Sequence, residues 1–207
     1  MTHTLHRRGT PENLGNDYVI LAMSAKGINE VDSAPRLREF LRIAARHKPV
    51  NMGDMKTGNT FAVPTEKIIE NVQDTSIVHA VFADTDSLAA AIKDIAAADL
   101  GVSVVVSGLL EATRECCAGV GTPHHTVEHS LGIWGRTDLL PSDAVLQVAT
   151  MCGHGMVAHN LVTSLAADVK AGRITAKAAA ASLAEPCVCG IFNPVRAEAL
   201  LKAMAAS

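Results

Sequence analysis

The chain has 207 residues, 48% of them hydrophobic and 19% charged, with a formal net charge of −3. That composition excludes a disordered chain and gives no basic excess for gripping a phosphate backbone, so nucleic acid is not an expected partner. Aromatic residues make up only 3%, which leaves the core to Ala, Val, Ile and Leu and offers few stacking platforms for single strands.

Residues 1–16 are polar and rich in turn formers, and read as a flexible arm carrying His3, His6, Arg7 and Arg8, which could fold over a site. No apolar run reaches the roughly 18 residues of a membrane span, because Lys93, Asp94 and Asp99 interrupt the best candidate. Gly9 to Asn13 stand where a signal peptide needs its apolar stretch, so no membrane association and a cytoplasmic location are expected.

An α/β core is expected over 17–140. Asp17 to Met23 reads as a buried strand, followed by a helix that Ser33 caps and Pro35 enters, with Leu37, Phe40, Leu41 and Ala44 at helical spacing. Asn51 to Thr60 has two glycines and no periodicity and reads as an exposed loop, with a short helix after Pro64. Strand Ile77–Ala83, helix Asp86–Ala98, strand Val102–Val106 and helix Leu109–Ala118 then alternate. This order predicts a mainly parallel sheet of about four or five strands covered by helices. His125 to Trp134 alternates like one more strand.

From 141 to 207 the pattern is all helical and is expected to pack on the core as part of one domain. Met156, Leu161, Leu165 and Val169 mark a helix ending near Gly172, Thr175 can cap the next, and Asn193-Pro194 opens a last helix through Met204. The Ala-rich helices point to a homo-oligomer with a subunit interface between them.

Five cysteines, two of them vicinal, suit metal ligation or thiol chemistry better than a disulfide framework. Cys116 and Cys117 fall at the end of a helix, point about 100° apart and read as packing residues. Thr150-Met151-Cys152-Gly153-His154-Gly155 and Pro186-Cys187-Val188-Cys189-Gly190 each precede a helix start, where free N–H groups favour thiolates and anions. If Cys152, Cys187 and Cys189 converge, they chelate zinc or one iron–sulfur cluster and leave a position open to substrate. Read instead as inert, all three are small buried hydrophobes.

Met151-Cys152-Gly153-His154-Gly155 resembles the stretch around one catalytic thiol of the proline racemase family. The resemblance implies an acid/base role for Cys152 at a carboxylate-binding helix end. It is confined to that stretch, since Cys187-Val188-Cys189-Gly190 departs from the family's Gly-rich partner motif and the chain is shorter than its two-lobed fold.

His125-Thr126-Val127-Glu128-His129 has the His-x-x-Glu-His spacing of inverted zinc-peptidase motifs, which work on a helix. On a strand, His125 and His129 share a face and Glu128 turns away, so these residues fit the wall of an active site better. In a parallel sheet, ligands bind beyond the carboxyl ends of the strands, which would bring Lys26 and Arg136 to an anionic group. Gly153 near Cys152, and Asn193 and Arg196 at the last helix start, are further candidates for holding a carboxylate. No Gly-x-Gly-x-x-Gly, phosphate-loop or Gly-x-Ser-x-Gly motif occurs in these contexts.

The reading that follows is a cytoplasmic enzyme of lyase or isomerase type with a cysteine-based metal centre, acting on a small carboxylate-bearing metabolite. Cys152, Cys187 and Cys189 would be ligands, and His154, His129, Glu128 or His125 would move protons. The alternatives are a metal-free thiol enzyme using Cys152 and a non-enzymatic metal-binding or accessory oligomer.

Overall fold

A computed structural model describes residues 4–207, so His3 of the expected arm lies outside the described residues. In chain order the elements are α1 (Pro11–Leu14), β1 (Tyr18–Met23), α2 (Ala34–Arg46), β2 (Asn51–Asp54), β3 (Gly58–Asn59), α3 (Thr65–Asn71) and β4 (Ile77–Phe82). They continue with α4 (Thr85–Ala98), β5 (Ser103–Ser107), α5 (Leu110–Gly119), α6 (Asp143–Ala149), α7 (His159–Lys170), α8 (Ala176–Ala184) and α9 (Pro194–Ala206).

The sheet has five strands in the order β3-β2-β4-β1-β5, and every pairing in it is antiparallel. This corrects the expected mainly parallel sheet. The strand–helix–strand alternation is real: β1 and β2 run the same way, as do β4 and β5. Each crossover, however, spans a strand of the other unit, so β4 lies between β1 and β2, and β1 lies between β4 and β5. Two split βαβ units interleaved in this way give the ferredoxin-like order. Alternation in sequence is identical for adjacent and split units, which is why it misled.

The correction also removes the shared carboxyl edge on which Lys26 and Arg136 were placed. Met23, at the end of β1, pairs with Ile77 and Ser103, the first residues of β4 and β5. Lys26 therefore lies at the opposite end of the sheet from Asp84 and Gly108.

Pleating divides β1 between two cores. Tyr18, Ile20 and Ala22 join Leu37, Phe40, Leu41, Leu88 and Ile92 on the face covered by α2 and α4. Val19 turns to the other face, with Val81, where residues of α6 to α9 such as Val148, Val162, Leu183 and Leu201 complete a second core. Burial on both faces explains why β1 reads as an unbroken apolar run.

Two of the three helix caps expected from the sequence are present: Thr175 accepts from Ala178 N at 3.1 Å and Asn193 from Arg196 N at 3.0 Å. Ser33 stands at the N-cap of α2 but makes no cap bond, because its Oγ accepts from Thr75 N instead. Asp84, unmarked in the sequence, caps α4 by accepting from Ser87 N at 2.7 Å. Two regions differ. The expected exposed loop at 51–60 contains the β2–β3 hairpin, whose Asn51, Asp54 and Asn59 are buried. Residues 124–134 are neither strand nor helix, so the histidine motif lies on irregular chain. Among the described residues no helix is long and apolar enough to cross a membrane.

Candidate functional site

The fold brings the three late cysteines together. Cys152 follows α6, while Cys187 and Cys189 sit in the turn between α8 and α9. All three belong to one buried cluster, and bonding of the Cys187 sulfur to those of Cys152 and Cys189 is the leading influence on their titration. All three are nearly inaccessible, at 3%, 0% and 1% exposure, and all five cysteines of the chain are free thiols.

Backbone amides favour these thiolates: those of Met156 and His154 lower the Cys152 thiol, that of Phe192 lowers Cys187 and that of Ile191 lowers Cys189. The side chain of His154 adds Nδ1 at 3.5 Å from Cys189 Sγ.

Titration is distributed unevenly over the cluster. The bond to Cys187, then burial, pushes the Cys152 thiol well above its usual range, against the two amides that favour its thiolate. For Cys187 the bond with Cys152 acts downward, but the bond with Cys189 and burial outweigh it and push the thiol up to about 12. Cys189 is lowered: the bond from Cys187 is the main cause, helped by the Ile191 amide and the positive charge of Arg7 against the burial that opposes them. Negative charge in this cluster therefore resides first on Cys189.

Three elements hold the two cysteine loops in register. From the β2–β3 hairpin, Asn59 Nδ2 donates to the carbonyls of Ala184, Glu185 and Cys187 at 3.0–3.2 Å, closing the end of α8, and Asn51 Nδ2 donates to Phe192 O at 2.9 Å. Gly190, at φ +78°, backs onto the β2 backbone so closely that a Cβ would stand 2.6 Å from Gly53 N. Arg7 spans both loops, with Nη2 on Met151 O at 3.3 Å and on Ile191 O, while Nη1 meets Asp17.

Arg7 and Arg196 share the Asp17 carboxylate, and all three are buried. Two guanidinium groups against one carboxylate leave one positive charge in excess beside the thiols, and the Nε atoms of both arginines have no partner. The residues expected to form a loose arm thus include a buried clamp: Thr4 is also buried, and Arg8 N donates to Thr150 Oγ1 at 2.9 Å.

On one side, Cys152 borders a cleft of about 520 Å³ that is also lined by His6, Gly153, Gly155, His159 and Asn160. The amino terminus of α7, with Ala158 at the cap position and no side-chain cap, forms part of its wall. Of the three thiols, Cys152 lines this cleft, and Cys187 and Cys189 lie behind it in the core.

The other candidates are dispersed. Asn193 caps α9 and donates to Asn16 O and Asp17 Oδ1, and Arg196 is held by Asp17, Arg8 O and Asn13. Both are internal to the clamp. Lys26 is exposed in the turn after β1, and Arg136 is exposed and paired with Asp138. His125, Glu128 and His129 line a separate groove of about 660 Å³ beside β5. Cys116 and Cys117 pack in the core under α2 and α4.

Sequence reading did not mark Asn51, Asn59 or the Gly53–Gly190 contact. The only available signal was two asparagines and two glycines in a stretch too short to be periodic. Among the described residues, no three His, Cys, Asp or Glu side chains stand in a geometry ready to hold a metal ion. Comparison of the chain with protein-family models, with curated proteins and with solved structures found no match.

Proposed function

We propose that Cys152, Cys187 and Cys189 form a cysteine-based metal centre, an iron–sulfur cluster or zinc, in an enzyme acting on a small carboxylate-bearing metabolite. The observation that supports it best is that the fold buries these three thiols in one cluster, each with backbone amides close enough to favour its thiolate. Amide donors stabilise thiolates and tune metal–thiolate centres, whereas a cluster of neutral thiols in an apolar core has little use for them. Metal binding exchanges the thiol–thiol bonds for metal–sulfur bonds, which requires the three side chains to turn toward a common point. The excess charge of Arg7 and Arg196 over Asp17 then offsets negative charge on the thiolates.

A bound metal supplies a Lewis-acid position for a substrate oxygen. Substrate would approach through the cleft at Cys152, with the N–H groups at the start of α7 taking a carboxylate, and His154, whose Nδ1 lies 3.5 Å from Cys189 Sγ, moving a proton. Lyase or isomerase chemistry on a hydroxy acid fits these parts. The alternative of Cys152 as a metal-free nucleophile is less well supported, because its sulfur is buried and bonded to Cys187.

Purification without oxygen, with absorbance spectra and analysis for iron, zinc and sulfide, tests this reading. Stoichiometric metal that is lost in Cys187→Ser supports it, with hydroxy-acid dehydration and isomerisation assayed next. A folded, colourless, metal-free protein that takes up neither iron nor zinc on reconstitution overturns it.

A further inference from the structure

We propose that the outer edge of β5 and the apolar chain beside it form the interface with a second copy of this chain, related by a two-fold axis through Val105. β5 ends the sheet, and among the described residues no strand pairs with its outer edge. Its pairing with β1 runs without a bulge from Ser103 to Ser107, and it carries no Lys or Pro, the devices by which monomers protect an edge.

The strand is also a palindrome, Ser103-Val104-Val105-Val106-Ser107. Antiparallel pairing with its own copy sets Val105 against Val105, Val104 against Val106 and Ser103 against Ser107, all neutral and all well suited to strands. This is the isologous self-complementarity that a two-fold interface requires. The result is one continuous sheet of ten strands.

β5, residues 124–130 and Thr4, whose Oγ1 lies 2.8 Å from Ser107 Oγ, line the 660 Å³ groove together, and Ile95, Val106 and Cys117 form part of its apolar wall. The chain then exposes Leu131 at 86%, Trp134 at 82% and Leu139 at 72%, with Val127, Ile133 and Leu140 partly exposed and Val104 at 37% on the strand itself. Of these, Val127 lines the groove beside β5, while Ile133 and Leu140 line a second cleft beside α6. Trp134, the sole tryptophan, is the type of residue that dominates interface contacts.

Sedimentation of the full chain at micromolar concentration tests the inference, which is independent of any metal. A mass near twice 21.7 kDa is expected. Val104→Lys, which sets a charge on the edge, should sediment as a monomer, and Trp134→Ser should weaken the dimer by roughly tenfold or more. The tryptophan is so exposed that its replacement leaves the fold intact, which far-ultraviolet circular dichroism checks. A wild-type monomer under these conditions, including one that binds some other protein, overturns the proposal, as does a dimer unmoved by both substitutions.

Discussion

Gly190 and Gly53 meet backbone to backbone: a Cβ on Gly190 would lie 2.6 Å from Gly53 N and 2.6 Å from Met52 C. The turn that carries Cys187 and Cys189 can rest on β2 only because neither residue has a side chain. Gly190 also occupies the left-handed region, at φ +78°, which costs an alanine about 1–2 kcal/mol.

Gly190→Ala is therefore expected to destabilise the fold by about 2–4 kcal/mol, the conformational cost adding to displacement of packed backbone. Urea unfolding gives the total. Labelling of native thiols gives the location: Cys187 and Cys189 should react faster in the variant, while Cys116 and Cys117 keep their wild-type rates.

Asp17 is the common partner of Arg7 and Arg196. Asp17→Asn leaves two buried guanidinium groups facing each other, and is expected to cost about 3–5 kcal/mol. Arg7→Met removes the bonds to Met151 O and Ile191 O but leaves Asp17 paired with Arg196, and should cost about 1–3 kcal/mol. Denaturant midpoints of the two variants check the order, and an Arg7 variant less stable than the Asp17 variant contradicts it.

Asp54 is buried, which raises its carboxyl above the usual range against the bonds it accepts from Lys56 N, Ser76 Oγ and Thr57 Oγ1. A raised folded-state value means that the stability tied to this group is full below the ordinary carboxylate range and is lost as pH rises through the folded value. Asp54→Asn lacks that loss. Its stability relative to wild type should climb as pH rises from about 3, then level off above the folded value. Urea midpoints across acidic pH measure the slope, and a difference that falls with pH refutes the assignment.

The start of α4 depends on Asp84, which accepts from Ser87 N at 2.7 Å and from Ser87 Oγ at 3.0 Å. Asp84→Ala should cost about 1 kcal/mol and lower Tm by about 2–4 °C, with Asp84→Asn retaining most of the stability. Thermal unfolding compares them.

Much of the local structure is legible in the sequence. Asp17 to Met23 announces a buried strand, Pro35 and Asn193-Pro194 announce helix starts, and the three late cysteines stand out as thiols able to ligate a metal. The hairpin at 51–59 is not legible, because its burial comes from Asn51 and Asn59 bonding to the turn after α8, more than a hundred residues away. Arg7 is equally silent, since a lone arginine near a terminus reads the same whether it is solvated or clamps two loops.

The sequence by itself determined where most of the helices and the strands β1, β4 and β5 form and which residue types could bind a soft metal, because propensity, capping and periodicity act over a few neighbouring residues. Tertiary structure alone decided that β1 runs between β4 and β5 and that Cys152 meets Cys187. Both are contacts between segments far apart in the chain, chosen by which faces can be buried together, and no local pattern encodes that choice.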